Sequence, residues 1–323
     1  MKKKISIILP CYNEKDNILP LIAAIQREMA KVPQYAYEIC FIDNDSIDGT
    51  RAVLEEVCTK GSHIRAIFNA KNFGQIRSPF YGLLQMDGDA VIIMASDFQD
   101  PPELISRYIA SWQQGAKIVI GIKEQSDENK IVRGIRSLYY YLIRKMSSVE
   151  QINHCTGSGL YDRSFVEFLR QLDDPIPFLR GIIAEYGSHI VKIPFRQPKR
   201  RSGKSRNNWY SLFDVAMLSF TSYTKVGLRI ATFVGFFFSA LTMMAAVFYL
   251  VYKLLYWDTF QAGMAPVVIG MFFLGSVQLF FLGFLGEYVM SISYRIMHKP
   301  LVIEERRLNF PQADRSGADG KAP

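Results

Sequence analysis

The first 120 residues alternate between short apolar runs and longer segments with helical spacing. Residues 5–9, 37–42, 64–68, 90–95 and 117–120 are apolar and rich in β-branched side chains, which predicts strands. Between them, residues 17–29, 50–58, a segment running through 81–85, and residues 101–112 place apolar side chains at helical intervals. Strands that are apolar throughout, each followed by a helix, predict a mostly parallel sheet covered on both faces. In such sheets ligands bind beyond the carboxyl ends of the strands. Polar clusters fall at those ends: Tyr12-Asn13-Glu14 after the first strand, Asp43-Asn44-Asp45 after the second, and Ser96-Asp97-Phe98-Gln99-Asp100 after the fourth.

The pattern changes in the second half. Residues 230–252 and 259–286 contain no Asp, Glu, Lys, Arg or His. A helix needs about 20 apolar residues to cross a bilayer core, and both stretches meet that length. The short connection predicts a hairpin of two transmembrane helices over residues 230–294. Lys225 and Arg229 precede the first stretch, and Arg295 and Lys299 follow the second, so both ends are expected on the cytoplasmic side of the inner (plasma) membrane. Residues 207–224 and 134–146 have the spacing of amphipathic helices that lie in the headgroup plane or pack on a domain core. The expected organisation is a catalytic domain over 1–206, a juxtamembrane helix over 207–229, the hairpin over 230–294, and a cytoplasmic, largely disordered tail over 295–323. Glycines in the second stretch permit close helix packing between copies of the chain, hence a homo-oligomer.

Charge then narrows the partner. The chain of 323 residues has a net charge of +8. Seven basic residues and no acid lie between Lys192 and Arg206, so most of the excess sits just before the apolar half. Nucleic acid is one partner for such a run; an anionic leaflet or a phosphate ligand fits its position better, and no nucleic-acid partner is expected. The four cysteines have no metal-ligand spacing and are expected to be reduced. No Gly-x-Gly-x-x-Gly or Walker lysine motif is present, which disfavours a dinucleotide oxidoreductase or a P-loop NTPase. Residues 43–54 faintly suggest a calcium loop, but Ile47 and Leu54 occupy positions that must ligate. Asp97 and Gln99, two apart in a loop, can present oxygens to one cation, an arrangement suited to magnesium shared with substrate phosphates. Asp100, before Pro101-Pro102-Glu103, has the pattern of a helix N-cap with a capping box.

Three motifs in this order carry a resemblance: Pro10-Cys11-Tyr12-Asn13-Glu14, the run Asp43 to Thr50 (DNDSIDGT), and Asp97-Phe98-Gln99-Asp100-Pro101-Pro102-Glu103. Together they resemble the family 2 glycosyltransferases of GT-A fold. Gly203-Lys204-Ser205-Arg206 and the two apolar stretches resemble the family's polyprenyl-phosphate branch, which includes bactoprenol glucosyltransferases and dolichol-phosphate mannose synthases. The resemblance covers residues 4–295 and implies a Rossmann-like GT-A domain followed by two interfacial helices and the hairpin. It implies inverting transfer of a sugar, glucose by default, from a UDP-linked donor to a polyprenyl phosphate such as undecaprenyl phosphate, with Mg²⁺ or Mn²⁺. By position, Pro10, Tyr12, Glu14, Asp43, Asn72, Ser96 and Asp97 would hold the nucleotide sugar. Asp97 and Gln99 would hold the metal. Lys123, Arg133 and Ser137, with Arg200, Lys204 and Arg206 on a closing loop, would hold the acceptor phosphate. Asp97, Arg133, Lys123 and Asp162 form the expected catalytic set.

The sequence departs from the family pattern in three places. Ala95 replaces the first acid of the usual Asp-x-Asp pair, Asn44 replaces the second acid of the second motif, and Thr156-Gly157-Ser158-Gly159-Leu160 lacks an acid, leaving Asp162 two residues later. A phosphate acceptor makes the last departure tolerable, because its second pKa of about 6 leaves it mostly dianionic at neutral pH without a general base. Three rivals stand beside this reading. A processive polysaccharide synthase would carry Gln-x-x-Arg-Trp, whereas Gln197-Pro198-Lys199-Arg200-Arg201 lacks the Trp. Transfer to a lipid hydroxyl would need a base, with Asp162 the best on offer. A nucleotide-sugar-binding membrane adaptor without activity is the non-enzymatic alternative. Mannosyl or aminosugar transfer to the same lipid is the nearest enzymatic one.

Overall fold

A computed structural model describes residues 2–123, 155–172, 174, 177–198, 226–255, 264–297 and 299–310. The chain divides into two compact units. The first comprises Met1–Lys130, Ile152–Arg206 and His298–Pro323; the second comprises Ile131–Gln151 and Asn207–Met297.

The first unit is built on one eight-stranded sheet. Its strands are β1 (Lys4–Cys11), β2 (Ala36–Asp43), β3 (Ile64–Asn69), β4 (Ala90–Ile93), β5 (Ile118–Lys123), β6 (Cys155–Asp162), β7 (Ile190–Phe195) and β8 (Glu304–Leu308). They lie in the order β7-β5-β6-β4-β1-β2-β3-β8. Strands β1 to β4 are parallel, as the strand–helix alternation predicts. Strand β6 runs against both β4 and β5, and β5 and β7 are parallel. The carboxyl ends of β1, β2, β4 and β5 therefore share one edge of the sheet.

Six helices cover the two faces. Helices α1 (Lys15–Met29), α2 (Thr50–Lys60) and α4 (Leu104–Gln113) pack on the face that receives Ile5, Ile7, Leu9 and Phe41. Helices α3 (Gly74–Gln85), α5 (Arg163–Gln171) and α6 (Leu179–Tyr186) pack on the face that receives Ile8, Ile42, Ile67 and Ile93. Successive strand residues point to opposite faces, and both faces are buried, so β1 has no polar-alternating pattern. Each fully buried Ile or Leu contributes about 1.5–3 kcal/mol, which makes the strands a rigid base for the loops at their ends. Gly49, at φ 95°, starts α2 in a left-handed conformation with the Lys15 stem close to where a Cβ would be; a side chain there would be strained.

Two expectations are corrected here. The tail after the second apolar stretch is not disordered throughout. Strand β8 pairs antiparallel with β3 as an edge strand. It holds because its charges are all used: Tyr81 donates to Glu304 at 2.9 Å, Arg51 meets Glu305 at 2.8 Å, Arg306 pairs with Glu55 and covers the Phe68 ring, and Arg307 meets Glu304 at 2.7 Å. Asn309 then donates to the carbonyls of Cys58 at 2.7 Å and Ile64 at 2.8 Å. The second correction concerns Asp100. Helix α4 begins at Leu104 after a turn, with Glu103 as its N-cap residue and no side-chain cap. One Asp100 oxygen instead accepts the Ala95 N–H at 2.8 Å and closes the loop after β4.

The second unit contains α7 (Val226–Leu255) and α8 (Met264–Ile296), which hold the first charge-free stretch and residues 264–286 of the second. At 1.5 Å per residue each exceeds the roughly 30 Å of a bilayer core. Among the described residues, Phe273–Met290 in α8 is long and apolar enough to cross a membrane by length and composition. Phe233, Phe236, Phe237 and Phe248 on α7, and Met271, Leu279, Phe280 and Leu282 on α8, are exposed. Phe238 and Phe273 bring the two helices into edge-to-face contact at 5.6 Å. The expected amphipathic helices at 134–146 and 207–224 lie outside the described residues.

Candidate functional site

Four loops meet at the shared carboxyl edge, and the sequence motifs stitch them together. After β1 the chain turns at Asn13, whose φ of 56° is in the left-handed region that asparagine tolerates. Asn13 donates its N–H to Ser46 Oγ at 2.9 Å and accepts the Ile47 N–H at 2.8 Å. Glu14, buried, donates its N–H to Thr50 Oγ1 at 3.0 Å. Asp48 accepts from Thr50 N–H at 3.0 Å and Lys15 N–H at 3.2 Å. Partial burial pushes the Asp48 carboxyl up, but the Thr50 hydroxyl, which donates to it at 2.5 Å, and these N–H bonds outweigh it and hold its pKa below the ordinary value. The first and second loops are thus one structure.

Asp43 ends β2 and is fully buried. Its Oδ2 meets Arg51 Nε at 2.7 Å and accepts the Ser46 N–H at 3.2 Å. Its Oδ1 has no hydrogen-bond partner among the described residues. A buried carboxylate oxygen left without a donor costs free energy unless something supplies one, so this atom keeps an unused acceptor. Arg51 also meets Glu305 of β8 at 2.8 Å and donates to the Asn69 carbonyl at 2.7 Å. Burial pushes the Arg51 pKa down, but Asp43 and Glu305 outweigh it and hold the guanidinium above its ordinary range. Cys11, at the end of β1, is buried; burial first, then the charges of Asp43 and Glu14, push its pKa well up. Cys40 and Cys58 are likewise free and buried.

Asn44 explains one departure from the family pattern. Its Nδ2 donates to Asn72 Oδ1 at 2.9 Å and the Gly74 carbonyl at 3.2 Å. Its Oδ1 accepts from Asn69 Nδ2 at 3.1 Å and the Phe73 N–H at 2.9 Å. A carboxylate has no hydrogen to donate to the first pair, so the amide suits this chain's own loop after β3. The exposed Asn72 is held at the site's rim by this bond.

The fourth loop carries Ser96 and Asp97, both buried. Ser96 Oγ donates to the Pro10 carbonyl at 2.7 Å, tying this loop to β1. Asp97 Oδ1 accepts the Gln99 N–H at 3.0 Å, and Phe98 between them has a φ of 62°. Asp97 and Gln99 thus sit on one tight turn at the edge. No cluster of three His, Cys, Asp or Glu side chains suited to a metal occurs among the described residues. The protein offers one carboxylate and one amide, so a divalent cation fits here only if a substrate diphosphate supplies most of its oxygens.

Lys123 ends β5. Strands β4 and β5 both run antiparallel to β6, so Lys123 lies at the carboxyl edge of the sheet. Arg133, Ser137, Arg200, Lys204 and Arg206 lie outside the described residues.

Asp162 does not join the site. It pairs with Ala90, the first residue of β4, at the opposite edge, whereas Asp97 lies four residues beyond Ile93, the end of that strand. Its carboxylate caps α5 by accepting the Ser164 N–H at 3.1 Å, and it also accepts from Trp112 Nε1 at 2.8 Å and meets Lys117 at 3.0 Å. Partial burial opposes its charge, but Ser164, Trp112 and Lys117 lower its pKa to about 2. The expected catalytic role is therefore replaced by a structural one. Sequence reasoning missed Arg51 and Glu305; they are 254 positions apart, and no local spacing signals their meeting.

The glycosyl transferase family 2 model matches residues 6–169, half of the chain. A bactoprenol glucosyl transferase of Shigella phage SfV is 29% identical over 301 residues, covering 93% of this chain and 97% of that protein. A prophage bactoprenol glucosyl transferase homolog of Escherichia coli K12 is 26% identical, covering 94% and 99%. Among solved structures, glucosyl-3-phosphoglycerate synthase of Mycobacterium tuberculosis aligns with a TM-score of 0.47 at 14% identity, over 68% of this chain and 76% of that one.

Proposed function

The chain belongs to glycosyl transferase family 2, and from that membership we propose that it transfers a sugar from a nucleotide diphosphate to a polyprenyl phosphate at a membrane. Glucose, UDP and undecaprenyl phosphate are the default donor and acceptor. The observation that carries this reading is the full-length likeness to proteins named bactoprenol glucosyl transferase, which extends through both long helices. The exposed aromatic and aliphatic side chains of α7 and α8 support two membrane spans. The nucleotide falls to Pro10, Tyr12, Glu14, Asp43 and Asn72, with the Asp43 Oδ1 accepting an N–H or O–H of the base or ribose. The diphosphate falls to Ser96 and Asp97.

In this mechanism a phosphate oxygen of the lipid attacks the anomeric carbon, the bond from that carbon to the nucleotide's terminal phosphate oxygen breaks, and the nucleoside diphosphate leaves. Attack in line with the leaving group inverts the anomeric centre, so an α-linked donor gives a β-linked lipid. The acceptor is already dianionic near neutral pH, so no residue has to remove a proton, in keeping with the absence of a carboxylate at Gly157. The protein's work is to attract the dianion and align it. Lys123 stands at the right edge for that, and Arg133, Ser137, Arg200, Lys204 and Arg206 are proposed to join it. Arginine suits bidentate phosphate binding. A Mg²⁺ or Mn²⁺ ion held by Asp97 and Gln99 would neutralise charge on the departing diphosphate.

The test uses the full chain purified in detergent, with undecaprenyl phosphate, Mg²⁺ or Mn²⁺, and UDP-glucose, UDP-N-acetylglucosamine or GDP-mannose in turn. Mass spectrometry is expected to find a lipid phosphate carrying one hexose from UDP-glucose. A hexose on the lipid from GDP-mannose alone would change the donor but keep the reaction class. No lipid-linked sugar from any donor would overturn the proposal.

A further inference from the structure

We infer that Arg51, clamped by Glu305 of the carboxyl-terminal strand, is a positioning residue that aims the Asp43 carboxylate at the nucleotide, so that β8 forms part of the donor site. This rests on the reading of Asp43 as a nucleotide ligand. It goes further by bringing in a segment that follows α8, far outside the residues matched to the family.

A buried carboxylate without a cation is strongly unfavourable, and Asp43 is fully buried. Arg51 supplies the cation through its Nε at 2.7 Å, and the Ser46 N–H adds a second bond to the same Oδ2. With Oδ2 taken, the remaining acceptor capacity is concentrated in Oδ1, which has no partner among the described residues. The carboxylate therefore has one anchored oxygen and one oxygen with its acceptor capacity unused.

The guanidinium that does this is fixed at three hydrogen-bonding points, with the Asp45 carboxylate also 3.5 Å from its Nη2. Its Nε is on Asp43, its Nη1 on Glu305 at 2.8 Å, and its Nη2 on the Asn69 carbonyl at 2.7 Å. The Phe68 ring lies beneath it at 5.7 Å. A flexible side chain held on three sides loses its freedom on folding, so little is lost when the nucleotide arrives. Glu305 holds its place because β8 pairs with β3 and Arg306 and Arg307 are themselves paired.

The experiment measures UDP binding with Mg²⁺ by calorimetry on the full chain in detergent, beside steady-state kinetics with UDP-glucose and undecaprenyl phosphate. Arg51→Ala is expected to weaken UDP binding about tenfold, the scale of losing one charge-assisted bond. Arg51→Lys, which keeps the charge but not the three-point fork, is expected to recover about a third of that loss. Glu305→Gln, at an exposed side chain, is expected to weaken UDP binding about threefold, and to add almost nothing on top of Arg51→Ala. The KM for undecaprenyl phosphate should stay within about twofold in all three, a split that a general loss of structure would not give. Wild-type UDP affinity in folded Arg51→Ala, with affinity lost in Asp43→Asn, would overturn the inference and leave the donor site standing. Wild-type affinity in Asp43→Asn would overturn the donor-site reading itself. Should Arg51→Ala fail to fold, wild-type UDP affinity in Glu305→Gln would still overturn the part assigned to β8.

Discussion

Both edges of the central sheet carry buried acids, and the difference between them separates a site from a foundation. At the amino edge, Glu38 is almost wholly enclosed, yet Ser6 donates to its Oε1 at 2.5 Å and Arg65 meets its Oε2 at 2.9 Å, with Lys4 at 3.3 Å. Asp162 at the same edge has Trp112, Lys117 and Ser164 on its two oxygens. At the carboxyl edge, Asp43 is as deeply buried but keeps one oxygen without a partner among the described residues. Burial of an acid is common to both edges; among these three acids, an oxygen without a partner is found only on Asp43.

Substitutions at the two edges should separate cleanly. The largest effect is expected from Asp97→Asn, which should lower turnover with UDP-glucose by about 10³-fold, the scale of removing one preorganised charge from a transition state. Its melting temperature should stay near that of the wild type, and wild-type turnover would remove Asp97 from the mechanism. Next is Glu38→Ala at the amino edge. Breaking a buried pair and stranding Arg65 should cost about 3 kcal/mol of stability by denaturant unfolding, while the KM for UDP-glucose stays unchanged in the folded fraction. A selective rise in that KM would erase the distinction between the edges. The smallest effect is expected from Asp162→Ala, where loss of the α5 cap should cost about 1 kcal/mol without changing turnover. Because folding lowers the Asp162 pKa from the ordinary 3.8 to about 2, its contribution is present above pH 3.8 and is lost as pH falls towards 2. The stability gap between wild type and Asp162→Ala should therefore close over that interval. A large loss of turnover in this variant would restore Asp162 to the reaction.

The legible part of the fold is the part with local signals. Strands β1 to β5 announce themselves as apolar β-branched runs, and their alternation with helices is enough to place Pro10, Asp43, Ser96 and Asp97 at one edge. Two of the strands that escape notice, β6 and β8, have weak or misleading composition. In β6, Cys-Thr-Gly-Ser-Gly-Leu-Tyr-Asp has small residues because Gly159 sits against the Val119 carbonyl, where a Cβ would be only 2.5 Å away. In β8, Glu-Glu-Arg-Arg-Leu reads as a solvated tail; long-range pairing with β3 and matched ion pairs make it a strand, and propensity along the chain carries no trace of either. Asp100 and Asp162 mislead for a related reason. A carboxylate before a helix or near a motif has several available donors, and tertiary neighbours choose among them. Here Ala95 takes one oxygen of Asp100, and Trp112 and Lys117 engage Asp162.

If the nucleotide sits on the carboxyl edge of the sheet, UDP should protect that edge and leave the amino edge unchanged. Hydrogen–deuterium exchange on the full chain in detergent, with and without UDP and Mg²⁺, tests this directly. Protection is predicted in residues 10–14, 43–51 and 95–100, with a smaller effect in 304–308, and no change around Glu38 or Asp162. Protection confined to the segments around Glu38 and Asp162, or no protection at saturating UDP, would contradict it.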